Sequence, residues 1–366
     1  MSVVFRAEVS GSLLRPAYLK KARQQLARGE LASADLRAIE DRAVDEAIAL
    51  QQEAGLDVIT DGEMRRHDFM APLYEDAEGA EPFAGRPLTW THVTTGKEMT
   101  WRIPFRVTGK VRRNGSLVAD GYEYLRNHAA MPVKQTLPSP LLMNWAWDAH
   151  GLQGAYSDPF ELLADATAVI RGHAQELARR GCGYIQIDAP DIAGLTDPAR
   201  GEAHPASGVP VIRLLSDGLD LLNTIPDGIS GTTFALHLCR GNIRSHYTAS
   251  GGYKRISQQV FSRLTNYQIF LLEYDDKRSG DFVPLADCPD DKTIVLGLIS
   301  SKVGQIEEPA SIVERVEQAA RYHPLEQLAL STQCGFATDL EGNQVTPRQQ
   351  QEKLALVAAL AREIWL

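Results

Sequence analysis

The sequence predicts a single-domain α/β protein, a (β/α)8 TIM barrel over residues 1–366 with an inserted β-hairpin after its second strand. Three observations lead there. Short β-branched runs alternate with amphipathic helical stretches along nearly the whole chain, as the βα units of a parallel sheet require. Eight such runs can be counted, the number that a closed barrel needs. No repeat, low-complexity tract or linker divides the 366 residues, a length that one large barrel accounts for.

In chain order the strands are expected at 3–9 (VVFRAEV), 57–61 (DVITD), 133–137 (VKQTL), 184–188 (YIQID), 233–238 (TFALHL), 269–273 (IFLLE), 293–299 (TIVLGLI) and 328–332 (LALST). The helices between them are marked by apolar residues recurring at three and four, as in 32–55, which stops at Gly55. Others are expected at 158–181, 210–222, 308–322 and 346–365. Residues 80–117 break the rhythm: they alternate with period two and carry Gly-Lys and Asn-Gly turn signals. Following the second strand, this hairpin falls over the carboxyl ends of the strands, either as a lid or as a surface decoration.

A composition of 44% hydrophobic, 23% charged and 7% aromatic residues is that of a core-forming globular chain. Asp and Glu outnumber Lys and Arg by 47 to 38, with no dense basic run, which argues against a nucleic-acid partner. The start, MSVVFRAEVSGSLLRP, has neither a long apolar stretch nor a small-residue cleavage site. No later segment approaches the roughly 20 apolar residues of a membrane span. The expectation is a cytoplasmic protein without a membrane partner. Cys182, Cys239, Cys288 and Cys334 are too scattered for a disulfide framework and are read as thiols.

In such a barrel the chemistry sits where strands end. His237 and Cys239 are two apart at the end of the fifth strand and so share a face. Glu273 ends the sixth strand, and Cys334 lies just past the eighth. Cys182 and Cys288 precede strands and fall toward the opposite end. A His-x-Cys pair alone is more often a structural coincidence; its convergence with two further strand ends selects it. One imidazole, two thiolates and one carboxylate suit tetrahedral zinc, and sulfur argues against magnesium or calcium. The carboxylate is the donor that can yield to an incoming sulfur, whose pKa the ion would lower.

These residues resemble the catalytic domain of cobalamin-independent methionine synthase. SGSLLRP (10–16), GLDVITDGEMRR (55–66), SPLLMNW (139–145) and YIQIDAP (184–190) match its motifs in order. The likeness is greatest to short, single-barrel relatives, through HLCRGN, LEYDD, DKTIVLGLISSK and QCGFAT. The resemblance implies zinc on His237, Cys239, Glu273 and Cys334, and methyl transfer to the thiol of homocysteine. It implies that Ser12, Glu63 and Asp188 hold the polar end of the amino acid, with carboxylates for the ammonium and the Gly11-Ser12 turn for the carboxylate. Trp145 matches a tryptophan that packs on the pterin of the methyl donor, a buried core aromatic being the alternative. Tyr274, Asp275 and Asp276 stand where partners of the zinc ligands are expected.

Several departures bear on the donor. There is no room for the additional N-terminal barrel of the long enzymes, which helps to bind folate. The seventh strand ends on Ser300, Ser301 and Lys302 rather than a histidine. Ala189 replaces a glutamate, and Val9 replaces a histidine usual in the short relatives, with His67 supplied elsewhere. No general acid is therefore assigned. The expected activity is a zinc-dependent S-methyltransferase whose partners are a small-molecule thiol and an alkyl donor, a methyl-folate among the candidates. The alternatives are alkyl transfer to another thiol, as in epoxide:coenzyme M transferases, and a metal-free decarboxylase on the same barrel. Homo-oligomerisation is left open.

Overall fold

A computed structural model describes residues 4–148, 152, 154–201 and 207–365. Its strands are β1 (Ala7–Glu8), β2 (Ala77–Pro82), β3 (Pro87–His92), β4 (Glu98–Arg102), β5 (Phe105–Arg113), β6 (Gln135–Pro138), β7 (Tyr184–Asp188), β8 (Thr233–Leu238), β9 (His246–Tyr247), β10 (Ile269–Glu273), β11 (Thr293–Ile299) and β12 (Leu328–Thr332). Seven of these form one parallel sheet in the order β1-β12-β11-β10-β8-β7-β6.

The second expected strand, 57–61, is not a regular one. Val58 and Ile59 make single parallel bridges, to Glu8 on one side and Val133 on the other, so that this segment links the two edges of the sheet. Its backbone has other partners. The Asp57 carboxylate accepts the N–H groups of Arg6 and Ala7 at 2.7 and 3.0 Å. The Gln51 amide takes both the N–H and the carbonyl of Thr60, at 2.9 and 2.8 Å. These side-chain bonds add to backbone bonds with the flanking segments, Asp57 N–H to Ala7 O at 2.9 Å, Ile59 N–H to Pro132 O at 3.1 Å and Lys134 N–H to Ile59 O at 2.9 Å. The first strand is also shorter than expected, and Val3, where it was expected to begin, lies outside the described residues.

The expected hairpin over 80–117 is instead two nested antiparallel pairs, β2 with β5 outside and β3 with β4 inside. Its end is corrected as well, because Leu117 already starts the helix Leu117–His128. The free edge of β3 pairs with β9, which lies just beyond β8. The helix expected at 210–222 is interrupted by a π-helical turn over Leu214–Gly218. The helices Ser33–Ala54, Pro159–Arg179, Pro309–Ala319 and Pro347–Trp365 follow their patterns, the first closing at Gly55 with φ 80°.

Strand alternation divides the interior in two. Most buried apolar residues lie between sheet and helices, while Val58, Tyr184, Ala235, Ile269, Leu271, Val295 and Ala329 form a smaller cluster on the other face. Above that cluster lies a buried polar layer in which Lys134 pairs with Glu8. Lys134 also donates to Gln186 Oε1 at 2.7 Å, and Gln186 Nε2 donates to Asp188 at 2.6 Å. The same face therefore runs from apolar, through a satisfied polar layer, to the strand ends. No helix among the described residues is long and apolar enough to cross a membrane.

Candidate metal centre and its cleft

Parallel register decides what surrounds His237. Asp188 pairs with His237 across β7 and β8, so the two side chains stand together on one face. His237 Nδ1 lies 2.9 Å from Asp188 Oδ1. Cys239 follows two residues later, and Cys334 comes from just beyond β12. The donor atoms of His237, Cys239 and Cys334 all lie within 4.8 Å of one another, and the sulfurs are 3.9 Å apart.

All three are buried, and none of the four cysteines is in a disulfide. The hydrogen bond with Cys334, together with burial, pushes the Cys239 thiol well above its usual range. Burial opposes charge on His237, but Cys239 and Asp188 outweigh it and raise the imidazole to about 9. Two facing thiols beside an imidazole form a donor set that a soft divalent cation would deprotonate and satisfy. The chemistry of this set fits zinc.

Glu273 is not brought into that cluster. Its Oε1 accepts from Lys302 Nζ at 3.0 Å and Arg278 Nη2 at 3.2 Å. Its Oε2 accepts the backbone N–H of Arg240, next to Cys239, at 2.5 Å. Burial alone would raise its pKa, but Lys302, Arg278 and Arg240 hold the carboxylate well below its usual range. Asp275 belongs to the same network, 3.6 Å from Lys302 Nζ and accepting from Ser300 Oγ at 2.6 Å. Asp276 pairs with Arg278 at 2.6 Å.

Ser12, Glu63, Trp145 and Asp188 line one cleft with His237, Cys239 and Cys334. Ser12 is seated by a close approach: a Cβ on Gly335 would come within 2.6 Å of its backbone nitrogen. Glu63 adopts a left-handed φ of 56°, an uncommon conformation for a non-glycine residue. Its Oε1 accepts from Thr136 Oγ1 at 2.7 Å and lies 3.4 Å from Arg66 Nη1. Its Oε2 is buried without a hydrogen-bond partner among the described residues. Burial raises its pKa, with Arg66 offsetting part of the effect. Trp145 is buried, and its indole N–H likewise has no partner among them.

Several residues of this site escaped the sequence reading. Trp90 of β3 reaches the cleft from the insertion, and its ring takes the place of a side chain on Gly241, where a Cβ would lie 2.5 Å from it. Its sequence signal was only the period-two alternation. Asn242 donates to Gly335 O at 2.7 Å and Ser301 Oγ at 3.0 Å, tying the loop after Cys239 to the one after Cys334. HLCRGN contained it without marking it. The contacts of Asp188 to His237, and of Lys302 to Glu273, depend on neighbouring strands and had no local signal.

The family described as "Cobalamin-independent synthase, Catalytic domain" matches residues 7–207 of this chain. The chain is 36% identical over 365 residues to the uncharacterized protein YxjH of Bacillus subtilis (strain 168), covering 99% of this chain and 95% of that protein. It is 24% identical over 287 residues to a methionine synthase of Sulfolobus acidocaldarius, covering 78% of this chain and 72% of that one. In fold it is similar to a B12-independent methionine synthase from Shewanella sp. W3-18-1, with TM-score 0.76, 19% identity and coverage of 99% and 98%.

Proposed function

The chain belongs to the cobalamin-independent synthase catalytic-domain family, and on that premise we propose that it is a zinc-dependent S-methyltransferase converting homocysteine to methionine. The observation that carries the reading is the convergence of His237, Cys239 and Cys334 donor atoms within 4.8 Å. They line the same cleft as Ser12, Glu63 and Asp188. A closed, single-domain (β/α)8 ring is part of the same reading, supported by the bridges of Val58 and Ile59 to both sheet edges. So is a lid role for the insertion, supported by Trp90 in the cleft and by the pairing of β3 with β9.

When bound, a zinc ion supplies the positive charge that keeps a thiol deprotonated near neutral pH. His237, Cys239 and Cys334 would hold it, and Glu273 is the carboxylate that the family pattern adds. Asp188 orients the imidazole by accepting from Nδ1, so Nε2, which lies 3.2 Å from Gln333 O, is the nitrogen that would exchange that carbonyl for the ion. The unpartnered Glu63 Oε2 is suited to accept from the substrate ammonium, and the Ser12 hydroxyl to donate to its carboxylate. Trp145 and Trp90 offer flat surfaces to the methyl donor, of the methyl-folate class. Phe69 and Ile243 complete an apolar lining that limits water at the sulfur.

The test combines metal analysis with mass spectrometry of the thioether formed from homocysteine and a methyl-folate. About one zinc per chain and methionine formation are expected. Thioether formation only from an epoxide and a thiol that is not an amino acid would replace homocysteine with the alternative acceptor and remove the roles given to Ser12, Glu63 and Asp188. Turnover independent of metal would overturn the reading.

A further inference from the structure

The geometry points to a second binding surface, a groove lined by Arg86, Arg102 and Arg106 of the insertion, that receives a carboxylate-bearing tail of the alkyl donor. This rests on the methyl-transfer reading of the cleft and adds to it where, and by what chemistry, the far end of the donor is held. Trp145 lines both the cleft of His237, Cys239 and Cys334 and this groove. A donor lying along Trp145 with its methyl group toward the sulfurs therefore runs out between the insertion and the segment that follows Trp145. The floor of that path is apolar, with Phe105 and Val107 buried, and the three guanidiniums come from the insertion.

Charge sets this element apart from the rest of the chain. Residues 77–113 carry seven Arg and Lys against three Glu, in a protein whose net charge is −9. Arg86 donates from Nη2 to Trp147 O at 3.0 Å and Arg102 from Nη1 to Gly85 O at 2.9 Å, and neither is in an ion pair among the described residues. Those carbonyls fix the two guanidiniums without neutralising them. Arg106 lies over the Phe83 ring at 4.5 Å and donates from Nε to Glu81 at 2.7 Å. Asp148 is the one acid in the described lining. Guanidiniums with N–H groups to spare suit carboxylates, which they grip through two parallel hydrogen bonds. Three of them in one groove suit several carboxylates rather than one.

The experiment supplies the zinc-loaded full-length chain with homocysteine and with methyl-folates carrying one or three glutamyl residues, and reads KM and kcat for each donor. KM is expected to be lower for the triglutamyl donor by roughly tenfold at low salt, with kcat alike, because the added carboxylates lie away from the sulfur. Arg86→Gln and Arg102→Gln should each reduce that preference by about threefold or more, and added salt should erode it. Lys97→Gln, in the same insertion but outside the groove, should leave the preference as it is. A preference below about twofold in the parent, or one reduced as much by Lys97→Gln as by the arginine variants, overturns the groove while leaving methyl transfer intact. Methyl transfer from neither folate overturns the donor assignment and the groove with it. Because Arg86 also holds Trp147, its variant is checked by circular dichroism, and if it does not fold Arg102→Gln decides alone.

Discussion

His237, Cys239 and Cys334 reach the cleft from the ends of β8 and β12, strands paired to parallel neighbours. Trp90 faces them from an insertion that packs Ile103, Phe105, Val107 and Val111 into the main core and is tied on by the β3–β9 pairing, Val93 N to Ser245 O at 3.1 Å and the ion pair of Arg113 with Glu176. One wall is set by parallel sheet register, and the other by an antiparallel insertion packed onto the core from outside that sheet. The first is suited to hold donor atoms in fixed geometry, and the second adds a side chain to the cleft without supplying a donor atom.

The sharpest test of this contrast is on the metal wall. Cys334→Ser is expected to lower zinc affinity by about a thousandfold, roughly 4 kcal/mol, because one soft donor of the set is lost. Chelator competition measures it, and an unchanged zinc content would remove Cys334 from the centre. On the other wall, Trp90→Ala is expected to destabilise the insertion by roughly 3 kcal/mol through loss of a buried aromatic. Faster hydrogen exchange confined to residues 77–113, with zinc content unchanged, would support separate walls. Loss of zinc together with the tryptophan would show that they are one unit.

The two walls should also respond oppositely to pH. The His237 pKa is raised to about 9 in the fold from the usual 6.5, so its contribution is present below pH 6.5 and lost as pH rises through 9. In metal-free protein this amounts to roughly 3 kcal/mol at most, and His237→Gln should flatten the alkaline limb of a Tm-against-pH curve. Glu176 is the reverse case. The hydrogen bonds of Arg113 and Arg180 lower its pKa to about 2 from 4.5, so its contribution is present above pH 4.5 and lost as pH falls through 2. Being near the surface it should contribute less than about 1 kcal/mol. Glu176→Gln should flatten only the acid limb, and an equal effect on the alkaline limb would contradict the separation.

Legibility from sequence followed the same division. β7, β8, β10, β11 and β12 begin and end where the apolar runs do, because consecutive buried residues leave a strand little freedom in where it stops. The segment 57–61 reads as a strand by the same criterion, but it makes only single bridges to Glu8 and Val133 while the Gln51 side chain takes both backbone groups of Thr60, a partner that leaves no periodic trace. In the insertion, period two indicated strands but not their nesting, since pairing partners are set by turns and contacts distant in the chain.

By itself the sequence determined the order of strands and helices, the family, and the presence of one imidazole and two thiols at strand ends. Those follow from local periodicity and residue type. Only the tertiary structure decided that Asp188 stands against His237, that Trp90 enters the cleft, and that Glu273 pairs with Lys302 rather than joining the thiols. A buried carboxylate goes to whichever cation the neighbouring strand presents, and that neighbour is fixed by sheet register and burial rather than by spacing along the chain.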